Sequence, residues 1–496
     1  MSIILLSDMT PPDQPSACLE QWGAELLDLV VRHGTVVTDR SSEHADIGIA
    51  DGRIAVVGRE VPRGRVELDA TGAYVLPGAV DAHTHLNSVW PFEEERTPAD
   101  DFGSGTRAAA AGGVTTVCDF AYQSGNGSLR DAIREVTAAA EAEAMVDFTL
   151  HPVVTRLTPS VEAEAAELVG GGFPSFKFYT PLPDFNERGP AYLRLIAAIG
   201  AAGGCAMFHC EDPDLLAYCR ERAAAAGRLT PRHYAWARPP EIEGAATARA
   251  VRIGSVTGTP VYIVHLSSGE ALGEAVAARR RGATVFVETR PLYLHLTAEA
   301  MDGSDAHAAR YEGTPPLRTA AGRERLWSGL ADGEIDVVAT DHVGFMLRDK
   351  YRPGDTMDQV PKGVANLQTL VPMLYSEGVR SGRLSMPRLV ELVATAPARI
   401  FGLFPRKGTI AAGADADLCI FDPGTRRSID ARAMESRSDF DVYEGFEVTG
   451  WPVCTIARGE IVYRDGEVTA TPGRGRFTPG APMPMTASAG RQGRMP

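Results

Sequence analysis

The sequence predicts an α/β fold, a (β/α)8 TIM-type barrel carrying a small β-sandwich domain formed by both chain ends. Three observations predict it. Eight short apolar runs alternate with Ala-rich amphipathic stretches through the middle of the chain. A β-like texture of short alternating pieces precedes that middle and returns after it. Six side chains with an affinity for metal ions stand at the ends of predicted strands: His83, His85, Lys177, His209, His265 and Asp341.

In chain order, residues 1–24 have no clear period and read as an N-terminal extension. Residues 25–77 contain LLDLVVRHGTVVT, ADIGIADGRIAVVG and RVELDATGAYVL, with turns marked by His33-Gly34, Asp51-Gly52 and Thr71-Gly72, the punctuation of antiparallel hairpins. After Pro77-Gly78 the runs AVDAHTH, VTTVCDFA, VDFTLHPVV, SFKFYT, CAMFHCE, VYIVHLS, TVFVET and IDVVAT supply eight strands within residues 78–404. They are apolar on both faces, as strands wrapped by helices must be. Residues 405–470 resume the β texture and pair with 25–77 to complete the small domain. The Pro- and Gly-rich stretch 471–496 has little to bury and is expected to be a flexible tail.

With 496 residues, 44% of them hydrophobic, the chain can bury a large core. A formal charge of −15 argues against nucleic acid or an anionic membrane as partner. No apolar run is long enough to span a membrane, and MSIILLSDMTPP lacks the basic leader of a signal peptide. Seven scattered cysteines fit reduced thiols in a cytoplasm.

His83 and His85 are two apart, so on a strand both imidazoles point to one face. Taken alone, such a pair could equally be surface or packing histidines. Lys177 lies within the apolar run SFKFY, where burial lowers an ammonium pKa; a neutral amine can then take up carbon dioxide to give a carbamate able to bridge two cations. The alternative is a lysine that reaches the strand end or pairs with an acid. His209 and His265 each end an apolar strand, as core histidines also do. Asp341 could bind a metal, act as a base or cap a helix. The conjunction decides between these readings, because catalytic groups of this barrel gather at the strand C-termini. Two divalent ions held there would leave a bridging position for water, lower its pKa to about 7 and polarise a carbonyl. Asp341 would take the hydroxide proton and pass it to the leaving nitrogen. Zinc is favoured; manganese, cobalt and iron suit the same donors.

From Leu27 to Val468 the chain resembles the cyclic amidohydrolases, the dihydropyrimidinase, hydantoinase and allantoinase group. The resemblance rests on PGAVDAHTHL, DDFGSGTRAAAAGGVTTVCDFA, SFKFY, RPPEIEGAATARA, VHLSSGEAL, ETRPLYL, TPPLR, TDHVGF and ARIFGLFPRKGTIAAGADADL taken together. It implies a two-metal site on the same six residues, with Lys177 as N6-carboxylysine, and opening of a hydantoin or dihydropyrimidine ring. It also implies a homotetramer, with a homodimer as the smaller alternative. Two other readings travel with it: an allantoinase, and a non-catalytic dihydropyrimidinase-like assembly protein that has lost metal ligands.

Departures from the group's pattern mark candidate substrate-binding residues. Leu182 stands where hydantoinases carry a tyrosine five residues after the bridging lysine; Tyr179, on the strand face of Lys177, is a substitute or merely an aromatic filling the barrel top. Arg290 follows Thr289 in ETRPLYL, and Lys362 stands where an amide is common. Both are expected near the mouth, either receiving an acidic substrate arm or lying solvated or paired with acids of a neighbouring subunit. Asn87 follows the His pair as in allantoinases, and its lack of positive charge disfavours dihydroorotate as substrate.

Overall fold

The computed structural model describes residues 26–86 and 96–483. The extension 1–24, Asn87 and residues 484–496 lie outside the described residues.

All eight predicted barrel strands form, in sequence order and parallel: Ala79–Thr84, Val114–Tyr122, Asp147–Val153, Ser175–Tyr179, Cys205–His209, Val261–Ile263, Val285–Thr289 and Val337–Val338. The last strand is tied back to the first beyond its regular hydrogen bonds. Thr340 donates from N and Oγ1 to the Asp81 carboxylate at 3.0 and 2.6 Å, and His85 N donates to His342 O at 3.0 Å. Every residue of the strands that carry His83, Lys177 and His209 is buried, so their chemistry is delivered from the barrel interior.

The two chain ends meet in one connected sheet of nine strands. Tyr74–Pro77 pairs antiparallel with Leu418–Ser428, Leu418 opposite Pro77, which joins the N-terminal strands to the C-terminal ones. Their apolar faces share one core, with Val31, Ile47 and Val75 packed beside Leu418, Ile420 and Ile456. The punctuation is more varied than a run of hairpins. Asp51 and Gly52, both at positive φ, do turn Ser42–Ala50 back into Arg53–Gly58. His33-Gly34 is instead a bulge inside the single strand Leu27–Val37, and the strand after Thr71-Gly72 pairs parallel to it.

The small domain is bolted to the barrel by a buried charge cluster. Lys407 Nζ lies 2.6, 3.0 and 2.7 Å from carboxylate oxygens of Asp147, Asp415 and Asp417, and Arg458 Nε lies 3.0 Å from Asp147.

Residues 471–483 correct the expectation of a loose tail. Phe148 N donates to Arg476 O, Thr478 N to Phe148 O, Gly480 N to Gly172 O and Met483 N to Gly203 O. The Phe477 ring stacks on Phe173 at 5.0 Å. A segment with little apolar surface is held because its backbone finds partners along the loops that precede the barrel strands.

Candidate metal centre

Five of the six predicted ligands sit at or just beyond a strand's C-terminal end, and Lys177 sits one turn of pleat deeper, in the middle of Ser175–Tyr179. His265 and Asp341 lie two and three residues past their strands, where the backbone bends inward. Both occupy the left-handed region, at φ of 38° and 48°. That conformation is costly for a side-chain-bearing residue and persists only where the surroundings impose it.

All six converge on one cavity of about 320 Å³. Asp341 Oδ1 lies 3.1 Å from His83 Nε2 and 3.0 Å from His85 Nε2. On the other side, His209 Nδ1 lies 3.0 Å from His265 Nε2. Lys177 Nζ lies between aromatic faces, 5.1 Å from the Phe120 ring centre and 5.2 Å from that of Tyr179.

These donors fit divalent cations, and the buried polar atoms say so. His83 Nδ1 is engaged by Glu288 Oε1 at 2.8 Å, yet its Nε2 is buried without a hydrogen bond of acceptable geometry; His265 Nδ1 is likewise buried and unbonded. An orphaned imidazole nitrogen beside a shared carboxylate oxygen is an arrangement that a cation satisfies. Among the described residues, the other cluster able to offer three ligand atoms, Asp147, Asp415 and Asp417, already holds a cation in the Lys407 ammonium.

Electrostatics follow the same division. Burial pushes Lys177 down to about 8 and His85 down to about 4. Burial also acts to lower His83, but the Glu288 and Asp341 carboxylates outweigh it and hold that imidazole above its usual value. Burial would raise Asp341, and the Arg290 guanidinium followed by His83 outweighs that, leaving it well below the usual carboxylate range.

Several residues that sequence reasoning passed over do much of the positioning. Glu288 accepts from His83 Nδ1, from His265 N at 2.7 Å and from Tyr262 Oη at 2.9 Å. It is the carboxylate that sets a metal-facing tautomer. Glu211 plays the matching part for His209, 2.9 Å from Nε2, and is itself gripped by Arg238 Nη1 at 2.8 and 2.9 Å. The His209–Glu211 spacing of two, the same as in the His83–His85 pair, was a readable signal. Nothing local marked Glu288, which ends the apolar run VFVE as any strand-closing acid would.

The predicted substrate-binding residues separate. Tyr179 lines the cavity beside Lys177. Thr289 does not; its Oγ1 donates to Leu266 O at 2.7 Å. Arg290 is not at the mouth. It is fully buried behind Asp341, 3.0 Å from Oδ2, with Nε donating to Thr340 O at 3.1 Å. Lys362 does line the cavity, but its ammonium is satisfied within the chain by Glu312 Oε2 and Met357 O, both at 2.6 Å, and by Val360 O. Each expected mouth cation therefore pairs with an acid of its own chain, because a buried charge must be matched where it lies.

Residues 93–463 match the amidohydrolase family. The chain belongs to the amidohydrolase family. Within it, the chain is 36% identical over 454 residues to a D-hydantoinase of Rhizobium radiobacter, covering 91% of this chain and 98% of that relative. It is 38% identical over 453 residues to a D-hydantoinase of Geobacillus stearothermophilus, covering 90% and 95%. The fold agrees with a solved D-hydantoinase at a TM-score of 0.88 and 35% identity over 92% of this chain and 99% of the other. It agrees with the dihydropyrimidinase of Brevibacillus agri at 0.87 and 32% over 92% and 99%. The resemblance to cyclic amidohydrolases and the barrel-plus-end-sheet architecture are thus both borne out.

Proposed function

We propose that this amidohydrolase opens a five- or six-membered cyclic amide or imide, a hydantoin or dihydropyrimidine, at a ring C–N bond. The observation that carries the reading is the convergence of His83, His85, Lys177, His209, His265 and Asp341 on one cavity. The similarity to D-hydantoinases supports it over the allantoinase alternative, and an intact donor set opposes the non-catalytic assembly protein.

His83, His85 and Asp341 would hold one divalent ion and His209 and His265 a second, with Lys177, as N6-carboxylysine, completing the donor set. When bound, the two ions supply a water acidic enough to attack at neutral pH and polarise the ring carbonyl. A Lys177 amine lowered to about 8 is neutral in a useful fraction of molecules near pH 7, as carbon dioxide uptake requires. Zinc is the favoured ion. Asp341 takes the proton of the attacking water and returns it to the departing ring nitrogen. Arg290 holds Oδ2, so Oδ1 is the oxygen turned to the reacting centre. Glu288 and Glu211 keep His83 and His209 in the tautomers that face the cavity. Pro181, Leu182, Leu216 and Val343 present an apolar wall that excludes water and accepts a ring substituent.

The enzyme is proposed to act as a homotetramer in a reducing cytoplasm. The six described cysteines are all free and buried, and among the described residues no helix is long and apolar enough to cross a membrane.

The test is ring opening by metal-loaded protein against hydantoin, dihydrouracil, 5-substituted hydantoins and allantoin, with metal content read on the same sample. Turnover of a hydantoin or dihydropyrimidine with about two metals per chain supports the reading. Turnover of allantoin alone would favour the alternative, and a protein that binds no metal would refute it.

A further inference from the structure

Arg238 and Lys362 both line the cavity, and they differ in what their donors have left to give. An ammonium has three N–H groups, and Lys362 spends them on Glu312 Oε2, Met357 O and Val360 O. A guanidinium has five. Nη1 of Arg238 gives its two to Glu211, at 2.8 Å to Oε1 and 2.9 Å to Oε2. Among the described residues, Nε and Nη2 donate to none. The Arg238 side chain keeps 23% of its surface exposed, so this free edge is open to an incoming molecule.

The guanidinium is also held in place. Glu211 is buried and is anchored from its other side by His209 Nε2 at 2.9 Å. The Tyr234 ring centre lies 4.9 Å from Arg238 Cζ. His209 Nε2 and Arg238 Nη1 share one carboxylate oxygen, which keeps them within about 6 Å of each other. A ring seated at the metal centre therefore meets the guanidinium through a short substituent. Pro181, Leu182, Leu216 and Val343 line the same cavity and suit the methylenes of such an arm. The parallel N–H groups of Nε and Nη2 suit its end, because a planar fork matches the two oxygens of a carboxylate.

We propose that Arg238 is a specificity-determining residue that receives, on Nε and Nη2, the carboxylate of a short acidic arm carried by the ring. The preferred substrates are then hydantoins or dihydropyrimidines bearing that arm, and this rests on the reading of the cavity as a ring-opening site. Lys362 takes no direct part, since its donors are already committed within its own chain.

The experiment uses metal-loaded wild type, Arg238→Gln and Arg238→Lys. The substrates are hydantoins whose one- or two-methylene arm ends in a carboxylate or in the carboxamide of the same size. It reads kcat, KM and metals per chain, and takes the ratio of acid to amide within each protein, so that a general loss of activity cancels. Wild type is expected to prefer one of the acids by about tenfold or more in kcat/KM, chiefly through KM. Arg238→Gln should abolish the preference. Arg238→Lys, which keeps a charge beside Glu211 and loses the fork, should lose most of it. A wild type that opens amide and acid alike, or a preference that survives undiminished in either variant, would overturn the proposal. If Arg238→Gln does not hold metal, wild type and Arg238→Lys decide the matter. A wild type that opens no ring at all would instead overturn the ring-opening reading. The arginine is then judged by ligand-observed NMR with the lactams pyroglutamate and pyroglutamide: tighter binding of the carboxylate that requires Arg238 supports the site, and equal binding overturns it.

Discussion

The guanidinium of Arg290 stands 3.0 Å from Oδ2 of Asp341, fully buried, while Oδ1 of the same carboxylate faces His83 and His85. One oxygen is thereby assigned to the fold and the other to the chemistry. Removing the cation strands an ionised carboxylate in the interior. Arg290→Ala is expected to destabilise the metal-free protein by about 3–5 kcal/mol, read by denaturant unfolding, with Arg290→Lys intermediate because it keeps the charge and loses the planar fork. A loss under about 1 kcal/mol, the range of an exposed pair, would show that the pairing does not matter.

Glu288 serves His83, His265 and Tyr262 at once. Glu288→Ala is expected to weaken metal binding about 10–100-fold, measured by competition with a chelator, while the protein still folds. Unchanged metal affinity would mean that the tautomer of His83 is set elsewhere.

Carboxylation of Lys177 requires the neutral amine, and its folded pKa of about 8 lies below the ordinary lysine value. At a fixed concentration of dissolved carbon dioxide, the rate at which metal restores activity to the apoprotein should rise about tenfold per pH unit up to that value and level off above it. A rate still climbing to about pH 10 would indicate an unshifted lysine.

Lys407 holds three carboxylates between barrel and small domain. Burial acts to lower its pKa, but Asp417, Asp147 and Asp415 outweigh it and raise the ammonium above its usual value. A folded pKa above the unfolded one gives stability that is complete below the ordinary lysine pKa and lost as pH rises through the folded value. The latch should therefore hold through neutral pH and weaken only in strong alkali. Lys407→Met, which leaves the acids unpaired, should lower stability at pH 7 by several kcal/mol and recover part of it on acidification. Calorimetry at pH 5, 7 and 9 reads both; a variant as stable as wild type at pH 7 would contradict the latch.

Lys362 donates to Glu312 and to two backbone carbonyls of its own loop. Lys362→Ala is expected to raise KM alike for hydantoins with neutral and with acidic arms. A selective rise of tenfold or more for acidic arms would restore a direct role in receiving them.

Much of the site was legible because strand chemistry is local. The spacing of His83 and His85, the lysine inside SFKFY and the histidines closing AMFH and VYIVH each follow from a period of two and from the rule that barrel strands end together. Residues whose role depends on a distant partner were not legible. Arg290 and Lys362 read as mouth cations because a sequence shows a charge without its counter-charge; Asp341 lies 51 residues beyond Arg290, and Glu312 lies 50 before Lys362. Nor did the sequence show that the Tyr122 hydroxyl would lie 2.9 Å from that of Tyr179, on a strand two places further round the barrel.

By itself the sequence determined the barrel, the joining of the chain ends into one small β domain and the six candidate donors, since alternation, burial pattern and strand order are carried by neighbouring residues. Only the tertiary structure decided which oxygen of Asp341 is held by Arg290, which nitrogen of His83 is held by Glu288, and that residues 471–483 pack along the barrel. Those outcomes depend on matching buried charges and backbone groups across long separations, and such matches exist only once the chain has closed.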